Sequence, residues 1–291
     1  MQFQRRNFLA AAGSLAAGSA ASRVWAEDRK GLVEPVHRVA TAKSGKVEPV
    51  RPLDRALQIA RDGLASCRAN INDYTCVLVK RENVGGTLGE QEYMYAKVLN
   101  RKVQNGRIVQ PMSVYLNFLK PTTVKGREVI YVEGQNDGNL IAHEGGFKGK
   151  FLPTVNIPPT GMLAMRGQRY PMTEVGIENL ILKLIERGEM ARKYPDVTCE
   201  FRRNARVKDR VCTVLQVTQP TQRPELLFYQ AQIFIDDQLN VPIRYVAYDW
   251  PRRAGQQPQV IEEYTYLNVK VNVGLTKADF DPRNQSYGFY S

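Results

Sequence analysis

Along the chain, apolar positions first recur with a helical period, then with a period of two, then with a helical period again, and finally with a period of two. Leu53, Ala56, Leu57, Ala60, Leu64 and Cys67 follow i, i+3, i+4, i+7 and i+11 spacing, with Asp54, Arg55, Arg61, Asp62 and Arg68 largely off the stripe. That predicts an amphipathic helix of roughly four turns. From Asp73, Tyr74, Cys76 and Leu78 alternate with Thr75, Val77 and Val79, and after Asn83-Val-Gly-Gly86 the alternation resumes over 90–101. Strands are also expected at 113–118, 127–133 and 139–143, the last two joined by a hairpin at Asn136-Asp137-Gly138.

A Pro-rich interruption precedes a second helix, predicted over 173–193 with Thr173 as N-cap and Ile177, Leu180, Ile181, Leu184 and Ile185 as its apolar face. Five more strands follow, at 197–203, 210–217, 230–236, 243–249 and 260–268. No second linker divides 53–291, so this region reads as one α+β domain, a long antiparallel sheet with two helices.

The first 52 residues have a different character. Arg5-Arg6-Asn7-Phe8-Leu9, a weakly apolar Ala/Gly/Ser run and Val24-Trp25-Ala26 predict a twin-arginine-type signal peptide over 1–26. Residues 27–52 are polar, repeat Val-Glu-Pro-Val at 33–36 and 47–50, and read as a flexible linker containing His37. The mature protein is therefore expected in the periplasm or secreted. Loss of Arg5, Arg6 and Arg23 takes the net charge from +12 to +9.

Composition narrows the chemistry. The chain has 291 residues, 43% hydrophobic and 24% charged, with two His and four Cys. His37 and His143 are too few for a multi-His metal site, and there is no G-x-S-x-G, P-loop, H-E-x-x-H or C-x-x-C. We expect no enzyme, no metal and no cofactor. Asp236-Asp237 reads as a hairpin turn, and Glu262-Glu263 point to opposite faces of a strand, so neither pair converges on one bond. His143-Glu144, running into Gly145-Gly146, is the one place where a base meets a flexible backbone, and it leaves a hydrolase as a third reading.

The cysteines Cys67, Cys76, Cys199 and Cys212 face an oxidising compartment after export. Cys67 and Cys76 bracket a short loop and are the disulfide candidates, with buried free thiols the alternative; Cys199 and Cys212 fall out of direct register. Basic residues cluster at Arg202, Arg203, Arg206, Lys208 and Arg210 and at Arg252-Arg253. With no nucleic-acid-binding motif beside them, nucleic acid is not expected as a partner.

Several stretches carry a family resemblance. Leu116-Asn-Phe-Leu-Lys-Pro121 followed by Lys125-Gly-Arg-Glu-Val-Ile-Tyr-Val132 resembles a strand, Pro turn and strand of the LolA/LolB-like lipoprotein-carrier superfamily. Ile233-Phe-Ile-Asp-Asp with Val241-Pro-Ile-Arg-Tyr-Val246, and Tyr264–Asn272 with Gly274-Leu and Asp279-Phe-Asp-Pro282, resemble its closing strands. Over residues 53–285 the chain looks closest to an uncharacterised exported bacterial family related to that superfamily.

The resemblance implies a strongly curved antiparallel sheet, an open half-barrel, with an N-terminal helix and a second helix covering the concave face. It further implies an apolar cavity for a lipid or lipidated protein. Leu180, Ile181, Leu184 and Ile185 are the expected inner face of the lid, and Met162, Met165 and Met172 the adaptable apolar side chains beside it. The leading expectation is thus a non-enzymatic exported protein that binds a lipid or acylated ligand. The alternative is a cell-envelope scaffold with a self-filled core. A membrane surface or an anionic envelope polymer would then be a partner.

Overall fold

The computed structural model describes residues 36–38 and 52–290, except Lys150 and Ala254. The segments expected to be a signal peptide and, for the most part, a flexible linker lie outside the described residues. The described chain forms a large antiparallel sheet whose path runs β1-β11-β12-β13-β14-β15-β2-β4-β7-β8-β9-β10. In chain order these are β1 (Val36–Arg38), β2 (Asp73–Val84), β3 (Thr87–Leu88), β4 (Glu92–Leu99), β5 (Lys102–Gln104), β6 (Arg107–Gln110), β7 (Ser113–Lys120) and β8 (Glu128–Val132). They continue as β9 (Leu140–His143), β10 (Val155–Ile157), β11 (Thr198–Val207), β12 (Arg210–Thr218), β13 (Gln230–Asp236), β14 (Val241–Tyr248) and β15 (Val260–Val271).

The path ends at β1 and β10 without closing, which makes the fold an open half-barrel. Its centre is the pairing of β15 with β2, which joins the chain's last long strand to its first. β3 pairs only with the end of β2, and β5 and β6 form a separate hairpin. The expected Asn136-Asp137-Gly138 turn does join β8 to β9, with Asn136 and Asp137 both at positive φ. Asp236 likewise makes the expected turn, its Oδ1 accepting the amide hydrogens of Gln238 (2.8 Å) and Leu239 (3.0 Å).

Helix α1 (Pro52–Asn70) opens on a proline, where a missing N–H costs nothing, and buries Leu53, Ala56, Leu57 and Cys67. Helices α2 (Gly146–Gly149) and α3 (Met162–Met165) are single turns, and α4 (Ile177–Ala191) is the second long helix. α4 begins four residues later than the pattern predicts. Thr173 falls instead in a 3₁₀ turn over Met172–Glu174, and Gly176, at φ 122°, breaks the path into the helix. No side chain caps that end; the Ile177 amide donates to the buried Tyr74 hydroxyl at 2.9 Å.

α1 and α4 lie antiparallel, tied by Arg68–Glu178 (2.7 Å) near one end and Asp54–Arg192 (2.6 Å) at the other. Gly188 permits the close approach: a Cβ there would sit 2.7 Å from Leu57 Cδ2. On the opposite face of the sheet, Tyr115, Ile130 and Leu99 are covered by the C-terminal segment through Phe280, Tyr287 and Phe289, with Tyr115 and Tyr287 stacked at 4.1 Å. Among the described residues, no helix is long and apolar enough to cross a membrane.

The four cysteines are free thiols. The staple expected between Cys67 and Cys76 is therefore not formed. Both side chains serve as small apolar packing groups in the main core, Cys67 against Asn100 and Cys76 beside Tyr74 and Tyr266. Burial pushes the Cys67 thiol up to about 12 and raises that of Cys76 as well. Cys199 and Cys212 lie opposite Val217 and Ala205, out of register as expected.

Candidate functional site

The helices cover the sheet unequally. Over β12, β13 and β14, the packed pair α1 and α4 presses Leu53, Leu57, Ile181 and Leu184 onto Leu215, Phe228, Ala231 and Ile233, leaving a cleft of only about 70 Å³. Over β2, β4, β7, β8 and β9 the cover is the irregular segment 144–176 together with one flank of α4. This cover does not fill the concavity. It leaves a cavity of about 760 Å³, well inside the range of about 300–1,000 Å³ typical of small-molecule sites.

Strand alternation explains the cavity wall. Leu78, Met94, Leu116, Val129 and Leu140 project from neighbouring strands onto the concave face, Val155 and Ile157 extend the wall on the edge strand β10, and Leu163, Met172 and Leu180 close it from the cover. The wall is apolar towards the middle of the strands. Towards the end of β2 and the starts of β4 and β15 it becomes polar and charged.

That polar pole is built around Glu262. Its Oε1 accepts from Arg187 Nη1 at 2.9 Å, and its Oε2 accepts from the Tyr170 hydroxyl (2.7 Å) and Arg169 Nε (3.0 Å). Arg187 also donates to Tyr245 (2.7 Å) and Tyr170 (2.5 Å). Burial alone would raise the Glu262 carboxyl, but Arg187, the Tyr170 hydrogen bond and Arg169 outweigh it and hold the group below the usual carboxylate value. The same surroundings raise the Tyr245 and Tyr264 hydroxyls, chiefly through burial and then through the Glu262 charge, so both remain protonated donors.

Glu82 continues the pole, accepting from the Tyr264 hydroxyl and, at 2.9 Å, from the Arg169 amide. Lys80 donates to Gln168 and pairs with Glu92 at 3.0 Å. Residues 168–170 are thereby bound to the strand ends, which anchors the irregular cover at this pole. Glu263, as its strand position requires, leaves the cluster and pairs with Arg244 at 2.5 Å.

The residues expected at the site divide into three groups. Met172 and Leu180 line the large cavity. Ile181 and Leu184 face α1 and the narrow cleft, and Ile185 packs against the main core. Met162 is 90% exposed, and Met165 does not reach the wall; Leu163 and Ala164 of the same turn supply the lining instead. The polar pole has no counterpart in the sequence-based expectation. Its one visible trace is Arg187, a charge at the position of α4 that continues the Leu180 and Leu184 stripe.

His143 lies in the cavity wall, with Nδ1 3.2 Å from Thr154 Oγ1. Glu144 pairs with Arg127 at 2.9 Å. No group of three or more His, Cys, Asp or Glu residues that could hold a metal ion occurs among the described residues.

A family model described as protein of unknown function (DUF1571) matches residues 71–289. The chain belongs to this family. The match takes in β2 through β15, and with them every strand that lines the cavity. No curated protein matches the sequence. Among solved structures, the chain is similar to a DUF1329 family protein from Desulfovibrio piger, at 13% identity and TM-score 0.38, over 79% of this chain and 97% of that one. It is also similar to the MucA/MucB complex structure from Pseudomonas aeruginosa, at 14% identity and TM-score 0.41, over 78% of this chain and 60% of that one. A third is the LolA superfamily protein NE2245 from Nitrosomonas europaea, at 10% identity and TM-score 0.28, over 76% of this chain and 97% of that one.

Proposed function

We propose that this protein is an exported, non-enzymatic binding protein that holds a lipid or the acyl chain of a lipidated protein in its half-barrel. The observation that carries this reading is the 760 Å³ cavity, apolar along the strands and polar at one pole. An acyl chain entering it gains about 0.8 kcal/mol for each buried methylene. Non-directional burial of this kind suits a wall of Leu, Val, Met and Ile.

The polar pole supports one orientation of the ligand. A ligand's polar or charged end meets the Lys80, Glu82, Glu92 and Arg187–Glu262 cluster, where hydrogen-bonding groups of both signs replace water. Its chain lies against Leu116, Val129 and Leu140. The pole's charges are already paired with one another, so they align a ligand by hydrogen bonds more than by net charge.

Native mass spectrometry of the purified protein, before and after incubation with a bacterial lipid extract, tests this reading. The expected result is a one-to-one adduct with the mass of an acyl-bearing lipid. A protein that carries no such mass and acquires none would overturn it.

A further inference from the structure

The cover segment also has an outer surface, and it exposes large apolar side chains that include two phenylalanines. Phe147 is 78% exposed and Phe151 72%, their rings in edge contact at 5.1 Å; Leu152, Leu163 and Met162 are exposed as well. Singly exposed apolar residues need no explanation, but a cluster of large ones on consecutive turns does. From Gly145 to Tyr170 the sequence has no Asp or Glu, while it has Lys148, Lys150, Arg166 and Arg169.

The neighbouring turn adds to the same surface. Gly145 and Gly126 pack backbone against backbone, which sets the Pro121–Gly126 turn beside α2. That turn brings in the exposed Lys125, next to the exposed Leu119 and Lys120. Large exposed apolar side chains on a segment that carries cations, with the adjoining Glu144 neutralised by its pair with Arg127, match the chemistry of a bilayer surface carrying anionic headgroups. The patch is also continuous with the cavity, because Leu152 and Leu163 are both exposed and part of the cavity wall.

We infer that Phe147, Phe151 and Met162, with Lys125 and Arg166 around them, form a docking surface for an anionic phospholipid bilayer. The apolar side chains enter the interface and the cations meet lipid phosphates. This sets the cavity mouth against the membrane, where an acyl chain can pass between the two without crossing water. The purpose assigned to docking rests on the lipid-binding reading, whereas docking itself is measured independently.

Co-sedimentation with vesicles of phosphatidylcholine containing phosphatidylglycerol, and with phosphatidylcholine alone, provides the test. The protein is expected to bind the anionic vesicles more tightly, and to release from them as salt rises. Phe147→Ser combined with Phe151→Ser, and separately Met162→Ser, should weaken vesicle binding, the double variant by roughly tenfold or more. Val103→Ser with Ile108→Ser, on the exposed β5–β6 hairpin, should bind as the unaltered protein does. None of the substituted side chains lines the cavity, so palmitate binding should persist in all of these variants. Vesicle binding that is absent, or that survives the Phe147/Phe151 replacement, overturns the proposal. So does sedimentation velocity showing that the same phenylalanines join two copies of the chain without any vesicle binding. Loss of palmitate binding in the unaltered protein would instead overturn the cavity reading and leave docking standing.

Discussion

The two halves of the half-barrel are built from one sheet, yet they treat their concave faces differently. Over β12–β14 the cover is two regular helices whose stripes repeat every turn, and these pack down to a cleft of about 70 Å³. Over β2, β4 and β7–β9 the cover is a chain of short turns rich in Pro and Gly, and about 760 Å³ stays unfilled by protein. A regular helix presents a continuous apolar ridge that interlocks with a sheet; an irregular segment reaches across at a few points and spans the rest. The cavity follows from the choice of cover, since away from the polar pole the inward residues of the strands are mostly apolar in both halves.

This contrast can be broken at the polar pole, where the irregular cover is tied down. Glu262→Ala should have the largest effect. It leaves Arg187 buried without its carboxylate, and removal of one partner from such a pair costs about 3–5 kcal/mol. Thermal or urea unfolding measures the loss. The double variant Arg187→Met with Glu262→Met should be appreciably more stable than Glu262→Ala, because the more buried guanidinium is removed with its carboxylate, while the more exposed Arg169 loses Glu262 in both variants.

A second comparison sets a filled position against an unfilled one. Ala231→Leu, in the packed half, should destabilise by about 1–3 kcal/mol through overpacking. Ala142→Leu, in the cavity wall, has room on its inner side and should change stability by less than about 0.5 kcal/mol. Equal penalties at the two sites would show that the halves are equally packed.

The smallest expected effect is on pH dependence. The Glu262 carboxyl is held below its ordinary value of 4.5, so the unfolded chain binds its proton first as pH falls. Its stabilising contribution is complete above about pH 4.5 and is lost as pH falls through the lower folded-state value. Glu262→Gln should flatten that part of the acid unfolding profile.

How much of this was readable in the sequence depended on whether a region has a period. The strands β2, β4, β7–β9 and β11–β15 and the apolar face of α1 follow directly from alternation and the 3.6-residue repeat, as does the Asn136-Asp137-Gly138 turn, whereas the short β3, β5, β6 and β10 do not. The start of α4 was misplaced because Thr173 is a plausible cap, whereas the helix starts after Gly176, at φ 122°, where the Ile177 amide donates to the hydroxyl of Tyr74, 103 residues away in sequence. The cover segment has no period at all, so nothing local separates Met172, which faces the cavity, from Met162, which faces out.

The polar pole was hidden for a related reason. Lys80, Glu82, Glu92, Tyr170, Arg187 and Glu262 come from five separate segments, and each alone reads as a surface residue at a strand end or on a helix. Only the pairing of β2 with both β15 and β4 brings Glu262 opposite Glu82 and Glu92 opposite Lys80. Arg187 carried the one signal that could have been used, a charge in line with Leu180 and Leu184 on the apolar face of α4. Cys67 and Cys76 illustrate the reverse error: nearness in sequence suggested a bond, whereas both thiols are used for packing.

The central claim is that the unfilled half of the barrel is a ligand site. The most direct test is a calorimetric titration with palmitate, kept below its aggregation limit, of the unaltered protein and of Ala142→Trp with Ala164→Trp. Two indoles placed in the wall occupy the space assigned to the acyl chain. The account predicts saturable one-to-one binding by the unaltered protein, and binding at least about tenfold weaker in the blocked variant at an unchanged melting temperature. Equal affinity in both proteins, or no binding by the unaltered one, would contradict it.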